Sequence, residues 1–313
     1  MKKIPLIVIT GPTAVGKTDL SIKVSKSLDA KIISADSMQI YKHMDIGSAK
    51  VTKEEMDGIE HFMIDEVNPD FDFSVSEFKE RASKYIEKID KEGKNVVVTG
   101  GTGLYLNSLI YNMDFAKSDA NEELRESLKL ELEEYGIDHM HDKLKELDEN
   151  AANRIHKNNT KRVIRALEVC LSGQTMNDFS TDLKFNNNYK PIIIVLNRDR
   201  QHLYERINKR VDIMIEKGLI DEVKNLQDME YNKDLISMKG IGYKEIIKYL
   251  DGEYTYEEAV EIIKRDSRRY AKRQITWFKR YDDAMWYDLD EYDSIKQLQE
   301  DILNHIEKCL KVI

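Results

Sequence analysis

The chain has 313 residues, 41% of them apolar, which is enough to build one large domain or two modest ones around a core. Its formal net charge of -9 argues against a general nucleic-acid coat protein, although an average can hide a local basic face. The 2 cysteines, Cys170 and Cys309, form no C-x-x-C pair, and no apolar stretch approaches the roughly 20 residues of a membrane span, so a protein of a reducing cytoplasm is expected.

The first apolar run, residues 5–9, is read as a strand and not as a leader, because it leads directly into "GPTAVGKT". These eight residues, Gly11, Pro12, Thr13, Ala14, Val15, Gly16, Lys17 and Thr18, fit G-x-x-x-x-G-K-[ST]. In that pattern backbone amides approach a chain of phosphates, the lysine supplies a point charge, and the threonine hydroxyl can hold magnesium. Leu20, Val24 and Leu28 then give one apolar helical stripe. Further β-branched runs at 31–34, 95–98 and 191–196, separated by helical sequence, predict an α/β fold with a parallel sheet between helices.

Ligands of such sheets sit beyond the carboxyl ends of the strands. The segments after the four runs, "GPTAVGKT", "ADSMQIY", "GGTGLY" and "NRDR", are therefore expected along one edge. Between about 115 and 189 the strand signal disappears into charged helical sequence. There Leu124, Leu128 and Leu132, then Val163, Leu167 and Leu171, repeat at helical spacing, with Gly136 and Gly173 as stops. This predicts a helical insertion at 116–189 within a core of 1–115 and 190–313. From Gln201 onward the chain is expected to be helical, apart from a loop at "KGIGYKE".

Asp36 follows the second strand, where a carboxylate can bind magnesium, accept a proton or cap a turn. Ser37, Gln39 and Tyr41 beside it offer a hydroxyl, a bidentate amide and a stacking ring, the equipment for reading a base. Thr102 can place a hydroxyl in the same cleft. Arg198, Arg206 and Arg210 stand ready to neutralise a phosphate, the last two opposite an apolar stripe of Leu203, Ile207 and Met214. The stretch 264–280 carries 8 Lys/Arg against Asp266 alone, with Tyr270, Trp277 and Phe278 interleaved, and reads as a docking site for unpaired bases. A second basic cluster spans Lys157 to Arg165. His139 and His141 form no metal set and are read as surface residues.

The blocks "GPTAVGKT", "ISADSMQIY", "DIGSAK", "VVTGGTGLY", "NNTKRVIRALEV", "RINKRVDIMIEKGLIDEV", "GIGYKE" and "YAKRQITWFKR" resemble, in order and over nearly the whole chain, those of the tRNA dimethylallyltransferases, the IPP transferase family. The resemblance implies a P-loop NTPase-like parallel sheet with a helical insertion domain and C-terminal tRNA-binding helices. It implies transfer of a dimethylallyl group from dimethylallyl diphosphate to N6 of adenosine 37 in the tRNA anticodon stem-loop, with Mg2+ on Thr18. Asp36, Thr102 and Arg210 become the catalytic set, and residues 11–18 the diphosphate site. Contacts to tRNA fall to Asp36, Ser37, Met38 and Gln39, to Arg125, and to Lys161, Arg162, Val163, Ile164 and Arg165. Gly242, Tyr243 and Lys244 follow, with Arg269, Lys272 and Arg273. A cytoplasmic monomer without membrane contact is expected. A phosphate-loop kinase of a nucleoside or small metabolite, with Asp36 as base, is the alternative, and an RNA-binding switch without covalent chemistry is a third reading.

Overall fold

A computed structural model describes residues 3–113, 122–173 and 184–312. The first β-branched run is strand β1 (Ile4–Thr10), buried from Leu6 onward. Its chain turns through the glycine-rich loop into α1 (Lys17–Ser27), whose Leu20 and Val24 are buried while Leu28 becomes the half-buried C-cap. β2 (Ala30–Ser34) follows, then α2 (Lys53–Met56), closed by a reciprocal Thr52 and Glu55 capping box. A two-residue strand β3 (His61–Phe62) precedes α3 (Val75–Lys91), which buries Phe78, Ala82, Ile86 and Ile89. β4 (Asn95–Gly100) and α4 (Gly103–Ile110) complete the first part.

Met113–Lys184 forms a compact unit of its own. The expected boundary at 115 and 116 lies outside the described residues. Within the unit, α5 (Glu122–Leu147) is interrupted at Gly136, whose φ of 81° lies in the left-handed region that favours glycine. α6 (Glu149–Arg154) and α7 (Thr160–Leu171) supply the other walls of a small core of Leu128, Leu144, Val163 and Leu167. Leu171, expected in the stripe, is instead exposed at the end of α7, just before Gly173 closes the helix with a φ of 74°. His141 is also more than a surface residue: its Nε2 lies 3.1 and 2.8 Å from the carbonyls of Ala152 and Ile155, tying α5 to the end of α6.

The other unit, Met1–Asn112 with Phe185–Ile313, resumes with β5 (Tyr189–Asn197), α8 (Arg200–Glu216), α9 (Leu219–Asp228), α10 (Tyr243–Leu250) and α11 (Tyr256–Phe278). A short strand β6 (Met285–Asp288) and α12 (Ile295–Leu310) close it. The expectation of helix throughout the C-terminal part therefore needs correction. β6 escapes a search for apolar runs because it is a four-residue edge strand with Met285 and Trp286 exposed. All pairings within the six-stranded sheet are parallel, in the order β3-β2-β4-β1-β5-β6. The central strands are buried on both faces, which is why they read as continuous apolar runs. Among the described residues, no helix is long and apolar enough to cross a membrane.

Candidate active site

The loops after β1, β2 and β4 meet at one sheet edge. Gly11 leaves β1 with φ 147°, and a Cβ there would lie 2.5 Å from the Leu196 carbonyl oxygen of β5, so only glycine brings the loop this close. Two later helices hold the loop from outside. Arg206 of α8 donates through Nε to the Ala14 carbonyl (2.9 Å). Gln274 of α11 accepts from the Thr13 amide (2.9 Å) and donates to the Gly101 carbonyl (3.0 Å), joining the phosphate loop to the turn after β4. Cβ atoms on Gly101 and Gly103 would come within 2.2 Å of Gln274 and 2.3 Å of Trp277, so "GGTG" is the seat on which α11 rests.

Lys17 folds back over its own loop and donates to the carbonyls of Gly11 (3.0 Å) and Pro12 (2.9 Å). Withdrawal from water, with Arg210 nearby, brings its pKa down to about 8, against the pull of Asp36. Arg210 is likewise lowered by desolvation, with Asp36 favouring its charge. Neither cation has a carboxylate in an ion pair among the described residues, which leaves both available to an anion.

Asp36 caps its own turn: Oδ1 accepts from the Met38 amide at 2.9 Å. Oδ2 makes no hydrogen bond among the described residues, and the side chain lines the cavity, so one oxygen is structural and the other is free to accept a proton. Thr102 does not line the cavity, and its Oγ1 accepts from the Ser37 amide (3.1 Å). Tyr270 lines the same cavity, and burial with Asp36 nearby raises its hydroxyl pKa to about 12, so it stays protonated.

These groups border a cavity of about 660 Å³. Its lining includes the cations Lys17, Arg206, Lys209 and Arg210, and apolar side chains from Ile46, Ala49 and Val51 of one loop and Ile213 and Met214 of α8. Met214 therefore leaves the stripe assigned to it and faces the cavity, while Val211 takes its place beside Leu203 and Ile207 in the core. Arg198 is also corrected: it pairs with Asp290 at 2.7 Å and does not line the cavity. Thr18 does line it, and its hydroxyl makes no hydrogen bond among the described residues. No group of three His, Cys, Asp or Glu suited to a metal occurs among those residues. A hydroxyl with few protein ligands fits magnesium, which keeps waters and is held largely through substrate phosphates.

The "DIGSAK" loop is fixed by two charges. Lys50, 4% exposed, donates to Asp45 Oδ1 (2.5 Å), Asp65 Oδ1 (2.6 Å) and the Tyr41 carbonyl (2.7 Å). Glu222 of α9 accepts from the consecutive amides of Asp45, Ile46 and Gly47 and from the Tyr243 hydroxyl. The Tyr243 ring has no exposed surface, so direct tRNA contact by this side chain is corrected to a supporting role. Gly242 is buried beside it, its amide bonded to Glu245, while Lys244 points outward with 45% exposure. Tyr41 is similarly buried, at 2%, and offers no stacking face. Gln39 spends its amide on Ser34 and Ala49, and Met38 packs its thioether on Gly240.

On α11, Arg269, Lys272 and Arg273 are exposed, as a polyanion site requires, but Phe278 is entirely buried and cannot stack on a base. Arg273 lies over the Tyr270 ring at 5.6 Å and Arg280 over Trp277 at 5.0 Å. Within the helical unit, Lys161 and Arg162 are exposed, Ile164 and Arg165 half-buried, and Val163 belongs to the core, which corrects its reading as a contact. Arg125 and Arg165 converge on the buried carboxylate of Glu168, at 2.6 and 3.0 Å. Gln274 and Glu222 are not candidates in the sequence reading. Each acts on segments more than 170 residues away, a link that no local spacing reports.

A family model described as IPP transferase matches residues 39–281. A tRNA dimethylallyltransferase of Clostridioides difficile is 73% identical over 99% of this chain and 100% of that protein. The crystal structure of a full-length tRNA isopentenylpyrophosphate transferase from Bacillus halodurans is similar with a TM-score of 0.75 and 44% identity, covering 99% of this chain and 97% of that one. A eukaryotic dimethylallyltransferase described as acting on tRNA matches with a TM-score of 0.82 at 27% identity, over 98% of this chain and 80% of its own.

Proposed function

The chain belongs to the IPP transferase family of tRNA dimethylallyltransferases, and on that premise we propose that it moves a dimethylallyl group from dimethylallyl diphosphate to N6 of adenosine 37 in the tRNA anticodon loop, releasing diphosphate. The observation that carries this reading is the pairing, across one cavity, of a half-free carboxylate on Asp36 with the unpaired cations Lys17 and Arg210.

As the allylic carbon–oxygen bond breaks, negative charge grows on the departing diphosphate and positive charge on the carbon. Arg210, Arg206 and the amides at the N-terminus of α1 stand in advance where the leaving group's charge develops. Lys17 moves from its own loop carbonyls onto the anion. The adenine amino nitrogen is a poor nucleophile until its proton is taken, and Asp36 Oδ2 is the acceptor as the carbon–nitrogen bond forms. Thr102, accepting from the Ser37 amide, holds the turn that carries Asp36, and Tyr270 stays protonated beside it. Thr18 would hold magnesium, which supplies further charge neutralisation to the diphosphate. The exposed cations of α11 and of the helical unit serve tRNA binding, and an unpaired loop base leaves its stack at modest cost.

Incubation with magnesium, dimethylallyl diphosphate and unmodified tRNA, followed by digestion to nucleosides and mass spectrometry, tests the assignment. N6-dimethylallyladenosine is the expected product. Its absence, together with phosphate release from ATP onto a small acceptor, overturns the reading in favour of a kinase.

A further inference from the structure

The apolar part of the cavity is built from two unlike elements. Ile213 and Met214 sit on α8, one turn beyond Arg210, so along this helix the wall passes from cation to hydrocarbon within about 5 Å. Ile46, Ala49 and Val51, which line the same cavity, stand on a loop without regular secondary structure. A helix face is rigid, whereas such a loop is placed only by whatever holds its backbone.

Three consecutive backbone amides in the outer turn of that loop converge on one side chain, beside the Lys50 ion pair to Asp45 and the turn's own backbone bonds. Glu222 Oε2 accepts from the amides of Asp45 (2.8 Å) and Ile46 (2.7 Å), and Oε1 from the amide of Gly47 (3.0 Å) and the Tyr243 hydroxyl (2.8 Å). Consecutive amides turned to one point form an anion-binding concavity, and here the anion is part of the protein. Four donors use the full accepting capacity of a carboxylate, so an amide in its place turns a donor toward at least one N–H. A Cβ at Gly47 would lie 2.5 Å from the Tyr243 ring, so the turn packs directly on that ring. The inner end is fixed separately by Lys50, and Glu222 itself does not touch the reacting atoms.

We infer that Glu222 is a positioning residue for prenyl chain length: by seating the 45–47 turn it fixes how far the apolar wall stands from α8, and so confines the site to a five-carbon tail. This rests on the substrate class proposed above. A single methylene in an apolar pocket changes discrimination by about ten- to two-hundredfold, so a loop released by about 1 Å is enough to alter the choice between chains.

The test is the ratio of kcat/KM for dimethylallyl diphosphate to that for geranyl diphosphate, with an unmodified anticodon stem-loop as acceptor. The wild-type chain is expected to favour the shorter substrate by about a hundredfold or more. In Glu222→Gln the ratio falls by about tenfold or more, through loss on the short chain, gain on the long one, or both. A merely structural role would lower both substrates together and leave the ratio unmoved. If Glu222→Gln does not give folded protein, Tyr243→Phe keeps the ring, removes one of the four donors, and moves the ratio in the same direction by about threefold. An unchanged ratio in the folded variant overturns the inference, as does a wild-type chain that accepts both diphosphates equally, while the functional reading survives either result. Transfer from neither diphosphate by the wild-type chain overturns that reading, and this inference with it.

Discussion

Lys17 and Lys50 are both withdrawn from bulk water, both border one cavity, and they are partnered in opposite ways. Lys50 meets two carboxylates and a carbonyl, so its charge is spent on fixing the backbone between Tyr41 and Asp65. Lys17 meets two carbonyls of its own loop, stands near a second cation, and has its pKa brought down to about 8. A charge neutralised inside the protein is part of the frame. A charge kept among carbonyls and another cation is destabilised until an anion arrives, as a site for diphosphate demands.

The comparison can be broken at each of its members. Asp36→Asn, which keeps the cap on Met38 and removes the proton acceptor, is expected to lower single-turnover transfer by about a thousandfold while tRNA affinity changes less than about twofold. Filter binding and rapid quench on the same preparation check both numbers. Lys17→Met is expected to lower kcat/KM for dimethylallyl diphosphate by about a hundredfold, the usual consequence of losing one fixed donor to a developing anion.

The same lysine has a pH signature. Its charged form is disfavoured by folding, so kcat/KM for the diphosphate is flat below about pH 8 and falls above it as Lys17 deprotonates. Because the unfolded chain retains that proton up to about 10.5, folding stability gains from this residue as pH rises from about 8 to 10.5. Lys17→Arg, which stays charged, abolishes the fall in kcat/KM.

Lys50→Met breaks the other side of the comparison. It is expected to cost about 2 kcal/mol of stability, short of a fully buried pair because Asp45 and Asp65 are 62% and 50% exposed. Denaturant unfolding checks the number. The smallest expected effect is at the exposed cation of α11: Lys272→Ala weakens tRNA binding by about threefold and reduces the salt dependence of log affinity by about one unit.

How much of this was legible in the sequence follows from the range over which each signal acts. The phosphate loop and strands β1, β2, β4 and β5 are local patterns, and the structure repeats them within a few residues. β3 and β6 are too short and too near the sheet edges to leave an apolar run. Residue type named the aromatics but not their direction: Tyr41, Tyr243 and Phe278 look like binding rings in polar or basic stretches and are core. Asp36 was legible as a carboxylate at a strand end, yet its division into one capping oxygen and one free oxygen requires coordinates. Gln274 lies among arginines and lysines, and Glu222 on an ordinary amphipathic helix, with partners on segments distant in the chain.

The central claim is that phosphate here is discarded and not transferred. Dimethylallyl diphosphate carrying oxygen-18 at the bridging position between carbon and phosphorus tests it most directly, with unmodified tRNA as acceptor and mass spectrometry of both products. The account predicts one labelled diphosphate for each dimethylallyladenosine formed, because the carbon–oxygen bond breaks. Label recovered in dimethylallyl alcohol, with no prenylated adenosine, would mark cleavage at phosphorus and contradict it.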